Sequence, residues 1–145
     1  MEKQNLPINP LIKIPIVRVP LTETEYREGK LTIECGLKIY TFRFLDIIML
    51  KSSRNHIYIY EKGFNETKLL ATLIKQKELL LPPHFLTTHD SFIVNMHHQK
   101  LYAQKGKGGG MLYLIEDREA SVSPSNHDNV LKYIFENAHN TKTLK

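Results

Sequence analysis

Cysteine occurs once in the 145 residues of this sequence, at Cys35. A single thiol allows no intrachain disulfide, and it excludes a zinc site built on several thiolates. Long apolar runs are also missing, since none approaches the roughly 18 residues that a membrane-spanning helix needs. Residues 1–5 are polar and lack the apolar stretch of a secretory signal. We therefore expect a cytoplasmic protein with no membrane partner.

The sequence patterns of common enzyme sites are absent as well. His89, Asp90 and Ser91 are adjacent, and adjacent residues of a strand point to opposite faces, so they do not form a serine-hydrolase triad. The histidines within residues 84–98 lack the HExxH spacing of a zinc enzyme. The glycine-rich residues 106–110 lead into a predicted strand, whereas a P-loop opens a helix. We expect no enzymatic activity, no cofactor, no metal and no small-molecule substrate.

Positive charge is what the sequence has in excess. It carries 20 lysine and arginine residues against 15 acidic residues, which gives a net charge of +5. The whole excess lies after residue 35, where 15 basic residues face 10 acidic ones. This balance is compatible with binding to phosphate groups, but ordinary soluble proteins have it too.

The first 20 residues contain four of the seven prolines. Proline breaks helices and lacks a backbone donor, so this stretch permits at most a strand at a sheet edge. We predict a Pro-rich N-terminal arm over residues 1–35, whose apolar side chains pack on the domain or on a partner. The domain itself is predicted over residues 36–138, and a polar tail over residues 139–145.

Short runs of β-branched and aromatic residues predict strands in the first half of the domain. Residues 31–34 and 37–44 flank Cys35-Gly36 and predict a hairpin, and further strands are expected at residues 47–50 and 56–60. In the last of these strands the isoleucines share one face, while the histidine and the tyrosines share the other.

The second half of the domain combines helices and strands. Leucine and isoleucine recur at roughly helical spacing in residues 69–81, which predicts a mid-chain helix that ends before Pro82. The remaining elements are strands at residues 101–103, 111–115 and 120–122, and a C-terminal helix from Pro124 to Ala138. The expected class is mainly β with short helices: an antiparallel β fold with one mid-chain helix and a C-terminal helix.

Residues 84–96 carry a family resemblance. Phe85, His89, Ser91, Val94 and Asn95 follow the pattern F-x-x-x-H-x-S-x-x-V-N. This pattern resembles that of the LytTR family of bacterial DNA-binding domains. The run at residues 45–48 resembles the family's D-I-hydrophobic start, Val122-Ser123 resembles its closing step, and the likeness spans about residues 38–136.

The resemblance implies a LytTR-like β fold that reads DNA with loops rather than with a recognition helix. It implies a transcriptional regulator that binds promoter DNA, often as a pair on directly repeated sites, so a homodimer is one expected assembly. Such domains often follow a phosphoreceiver domain, and 145 residues leave no room for one, so we expect a stand-alone form of a response regulator-like protein. Double-stranded DNA is the expected partner.

The resemblance also implies where DNA is contacted. The first predicted loop lies between two strands, the second is the turn after His89, and the third follows Val122; two lysines of the glycine-rich connection are candidates for phosphate contacts. The predicted DNA-binding residues are Lys51, Ser53, Arg54, Asn55, His56, Asp90, Lys105, Lys107, Ser123, Asn126 and His127.

Two positions depart from the family pattern. Asp90 stands where the family commonly has arginine or asparagine, and Pro124 begins a segment in which relatives often supply an arginine that contacts bases. Asp90 would repel phosphate but accept a hydrogen bond from cytosine. Either Asn126 and His127 replace the arginine, or DNA binding is weaker and differently specific. The alternative is a protein-interaction module on the same fold that has lost sequence-specific DNA binding.

Overall fold

The computed structural model describes residues 16–75 and 79–137. Within these residues, strands dominate and two α-helices are present, which confirms the predicted mainly β class. The predicted arm up to residue 15 and the predicted tail 139–145 lie outside the described residues.

The strands are β1 (Ile16–Arg18), β2 (Lys30–Cys35), β3 (Lys38–Arg43), β4 (Ile47–Ser53), β5 (His56–Glu61), β6 (Asn65–Leu70), β7 (Leu79–Leu81), β8 (Phe85–His89), β9 (Phe92–Asn95), β10 (Gln99–Gln104), β11 (Gly110–Leu114) and β12 (Glu119–Val122). The α-helices are α1 (Glu23–Glu28) and α2 (Pro124–Glu136), and short 3-10 helices lie at Phe44–Asp46, Ala71–Leu73, Met96–His98 and Ile115–Asp117.

Five strands form a central sheet in the order β6-β5-β4-β9-β8, and all neighbours in it are antiparallel. Side chains alternate between the two faces of a sheet, and here both faces are buried. Leu50 and Ile59 pack into a core cluster on one face, whereas Met49 and Tyr60 pack into a second cluster on the other. The central sheet is therefore the middle layer of the fold, which explains why β4 begins with an uninterrupted apolar run.

The first outer layer contains the antiparallel hairpin β2–β3, the parallel pair β1–β7 and helix α1. Alternate residues of β2, Leu31 and Ile33 among them, are buried against the central sheet. Helix α1 begins with a capping box, in which the Thr22 side chain accepts from the Glu25 backbone and the Glu25 side chain accepts from the Thr22 backbone. Its one buried residue is Tyr26, which joins the same cluster.

The second outer layer is the antiparallel sheet β10-β11-β12 together with α2. Leu112, Val122 and Val130 of this layer pack in one cluster with Met49 and Val94 of the central sheet. Helix α2 has Pro124 in its first turn, where a missing N–H leaves no bond unmade. Neither helix of the described residues is long and apolar enough to cross a membrane.

Most of the predicted elements are confirmed. The hairpin around Cys35-Gly36 is β2–β3, and Gly36 takes the positive φ of 63° that its tight turn requires. The strands expected at residues 47–50 and 56–60 are β4 and β5, and those at 101–103 and 111–115 are β10 and β11. The short strand before the C-terminal helix is β12, and that helix begins at Pro124 as expected.

The predicted mid-chain helix over residues 69–81 is wrong. Leu69 and Leu70 end strand β6, residues 71–73 form a single 3-10 turn, and residues 79–81 form β7. Backbone pairing explains the difference, because β6 pairs with β5 along its whole length and Gly36 of the first hairpin donates to the Leu73 carbonyl. Tertiary pairing of this kind overrides the helical spacing of apolar residues.

Residues 16–35, the described part of the predicted arm, contribute β1, α1 and β2 to the first outer layer. Tyr26, Leu31 and Ile33 are at most 4% exposed. The proposed boundary at residue 35 falls in the turn between two paired strands, and it stays a prediction about where the domain begins.

Candidate nucleic-acid interface

Three of the segments predicted to contact DNA lie side by side at one end of the central sheet. These are the β4–β5 turn, the β8–β9 turn and the junction between β12 and α2. The Ser52 N–H donates to the Ser91 carbonyl over 2.9 Å, which joins the first turn to the second. The Ser123 N–H donates to the Thr88 carbonyl over 2.8 Å, which joins the second turn to the junction. We call this surface the turn end.

The β4–β5 turn presents an exposed cation at the turn end. Ser53 pairs with His56 across the two strands, and only Arg54 and Asn55 lie between them. Both of these side chains are exposed. The Asn55 carbonyl accepts from the Ala71 N–H over 2.8 Å, and Arg54 has a left-handed φ of 56°. The turn is therefore held by the backbone while the guanidinium projects into solvent.

In the β8–β9 turn, the histidine side chain contacts residues of the turn itself. The Ser91 N–H donates to His89 Nδ1 over 3.1 Å, and the His89 ring packs beside Phe92. Ser91 is 6% exposed, whereas Asp90 is exposed. The motif histidine and serine thus shape the turn, and Asp90 is the residue of this turn that projects outward.

The β12–α2 junction is a network of short polar side chains. Ser123 Oγ accepts from Asn126 Nδ2 over 2.8 Å and lies 3.1 Å from Ser125 Oγ. The Tyr102 hydroxyl lies 2.6 Å from His127 Nδ1. Asn126 and His127 are half-buried, so a contact with DNA would use Asn126 Oδ1 and His127 Nε2.

The glycine-rich connection between β10 and β11 lies against this junction. The Lys105 N–H donates to the Gly109 carbonyl over 2.9 Å. A Cβ atom at Gly109 would lie 2.6 Å from the Val122 carbonyl, so the close approach of the two segments depends on glycine. Lys105 and Lys107 are exposed beside the junction. The structure therefore adds these two lysines to the turn end.

The charge of the turn end is mainly positive. Among the predicted contact residues, Lys51 is half-buried and Arg54, Lys105 and Lys107 are exposed, whereas Asp90 is the acidic one. Tyr58 and Lys68, which are not among the predicted contact residues, face the same side of the central sheet as Ser53 and His56. Recognition that residues 65–70 form a strand would have found Lys68, because its register then follows from its cross-strand partner.

The histidines at positions 84, 97 and 98 lie at the opposite end of the β8–β9 hairpin. Burial lowers the pKa of His84 to about 3, and His97 and His98 lower it further through like-charge repulsion. Burial also lowers the pKa values of His97 and His98. In the part of the chain that the structure describes, no group of three or more histidine, cysteine or acidic residues is arranged to hold a metal ion. His98 is buried, His84 is half-buried and His97 is exposed, and the His84 and His97 rings pack against Tyr26 of α1.

Comparisons with known proteins identify the fold. A sequence profile of the LytTr DNA-binding domain family matches residues 37–135. Among solved structures, the chain is similar to the LytTr DNA-binding domain of a methyl-accepting/DNA response regulator from Bacillus cereus, with a TM-score of 0.53 and 16% sequence identity. The likeness covers 74% of this chain and 97% of that domain. Comparison with curated proteins finds no match.

Proposed function

Because the chain belongs to the LytTR family of DNA-binding domains, we propose that it regulates transcription by binding promoter DNA through its turn end. The observation that supports this proposal is the meeting of two turns, the β12–α2 junction and a lysine-bearing loop at one end of the central sheet. Side chains on turns reach base edges in a major groove, while neighbouring cations hold the phosphates.

The proposal assigns different tasks to different residues. Arg54, Lys105 and Lys107 are exposed cations and hold phosphates, since phosphate contacts position a protein on the duplex. His56 and Asp90 face bases, with the Asp90 carboxylate accepting from a cytosine amino group. Two copies of the chain bind directly repeated sites, and they do so in the cytoplasm, where bacterial promoters are found.

The β4–β5 turn provides the first test. Arg54→Ala should weaken binding to a duplex selected from a randomised pool by about tenfold and should flatten the dependence of affinity on salt, because one phosphate contact is lost. Fluorescence anisotropy across salt concentrations measures both quantities. Arg27→Ala is the matched control, since Arg27 is an exposed arginine of α1 that pairs with Glu23 away from the turn end. Equal affinities for the two variants would reject the assignment of Arg54.

Asp90 distinguishes the proposal from its alternative, a protein-interaction module. An exposed carboxylate at the turn end is the observation that favours such a module. If DNA is bound here, Asp90→Asn should raise affinity for non-specific duplex several-fold, because a repulsive charge beside the phosphates is removed. It should also change the base preferred opposite this turn in a repeated selection. The absence of wild-type binding to any duplex at low salt would instead support the module.

A further inference from the structure

A row of side chains crosses four strands of the central sheet next to the turn end. Lys51 of β4 lies directly opposite Phe92 of β9 on one side and Tyr58 of β5 on the other. Tyr58 in turn lies opposite Lys68 of β6. Directly opposite residues share a face, so these four side chains point to the same side of the sheet. We call them the Lys51–Lys68 row.

The row continues the surface of the β4–β5 turn. Ser53 and His56 are two residues along from Lys51 and Tyr58, so they point to the same face. The rings of His56 and Tyr58 have centroids 6.4 Å apart. Lys68 is exposed, whereas Lys51 and Tyr58 are half-buried. One continuous face therefore runs from the predicted DNA loop to β6.

The charges around the row leave its cations available. Neither Lys51 nor Lys68 forms an ion pair with another residue that the structure describes. Acidic residues beside the row are Glu66, which lies two residues from Lys68 along β6 and on the same face, and Asp117 and Glu119, which line the cleft beside Lys51. The same cleft contains Arg118, whose guanidinium lies 4.4 Å from the Tyr60 ring centroid.

We propose that the Lys51–Lys68 row is a second phosphate-binding element, which holds the backbone of the same duplex that the turn end contacts. This inference rests on the proposed function and extends it to residues of the sheet face. Lys51 and Lys68 stand on strands two positions apart, about 10 Å by the usual strand spacing, and their flexible stems bring the ammonium groups to neighbouring phosphates.

Duplex phosphate suits the row better than an unpaired base does. A base would stack on the open face of an aromatic ring, as in single-strand binding proteins. The Lys68 ammonium, however, lies 5.7 Å from the Tyr58 ring centroid and stands over that face. A cation held above the ring by a cation–π contact is placed to meet an anion instead.

Lys68→Gln tests the row. Binding to the selected duplex should weaken about fivefold near 0.1 M salt, and the slope of log affinity against log salt should fall in magnitude by about 0.9, with unchanged base preference. Lys62→Gln is the matched control, because Lys62 is exposed in the turn at the other end of the β5–β6 hairpin. Lys68→Arg should retain the wild-type slope, since the charge is kept. Unfolding midpoints should be alike for all three variants.

The outcomes separate this inference from the proposed function. If Arg54→Ala weakens binding while Lys68→Gln behaves like Lys62→Gln, the row is not a DNA contact but the turn end still is. If the wild-type chain binds no duplex, both proposals fail. A changed base preference in Lys68→Gln, or a loss confined to single-stranded DNA, would overturn the assignment to duplex phosphate.

Discussion

Asn95→Ala should lower the free energy of unfolding by about 3 kcal/mol, since it leaves several buried polar groups without partners. Asn95 is completely buried. Its Nδ2 lies 2.9 Å from the Ile47 carbonyl, 3.3 Å from the Phe44 carbonyl and 3.1 Å from the Tyr26 hydroxyl. Its Oδ1 accepts from the His97 N–H over 3.1 Å. One side chain thus joins α1, the start of β4 and the segment after β9.

Urea denaturation of the variant and the wild type measures the loss. Asn65→Ala is a matched control, because Asn65 is exposed and its Nδ2 donates to the carbonyl of Lys62, three residues earlier. The control should lose well under about 1 kcal/mol, as exposed hydrogen bonds contribute little. Similar losses in the two variants would show that the buried network does not stabilise the fold as described.

Acidification should destabilise the protein well before its carboxylates are protonated. Burial lowers the pKa of His84 to about 3 in the folded chain, against about 6.5 when the chain is unfolded. Between these values the unfolded chain binds a proton that the folded chain does not, so stability is fully present above pH 6.5 and is lost as pH falls. From this residue alone, the loss at pH 5 should be about 2 kcal/mol.

The neighbours of His84 act in the same direction, because burial lowers the pKa values of His97 and His98 too. Urea denaturation between pH 7.5 and pH 5 measures how steeply the free energy of unfolding falls as the pH is lowered. His84→Gln should make the free energy of unfolding depend less on pH. Added salt should leave most of the pH dependence of the wild type, since burial rather than charge repulsion is the main cause of the lowered pKa. A wild-type stability that does not change across this range would contradict the prediction.

The sequence was sufficient for most strands and for the last helix, because their signals are local. β-branched runs, the Gly36 turn and Pro124 each act within a few residues. Helix α1 has a local signal as well, because the spacing of Thr22 and Glu25 is that of a capping box. The helix predicted over residues 69–81 was wrong because their apolar spacing fits a helix, while their actual partners lie in β5, in the first hairpin and, for residues 79–81, in β1.

The sequence was sufficient to predict which residues belong to the candidate site, but not how they are arranged in space. The motif residues Phe85 and Asn95 are buried, so the pattern that identifies the family is mostly structural. That the β4–β5 turn lies beside the β8–β9 turn follows from the pairing of β4 with β9, which joins strands about 40 residues apart. The position of Lys68 on this face depends on the same sheet order.

The bonds that hold the turn end together have a consequence for its evolution. The links from Ser52 to Ser91 and from Ser123 to Thr88 are made by peptide groups, which every residue except proline can supply in full. The outward side chains of Arg54 and Asp90 take no part in these two hydrogen bonds. If the turn end reads DNA as proposed, a new base preference therefore requires substitutions at the turns alone, with the scaffold beneath them left unchanged.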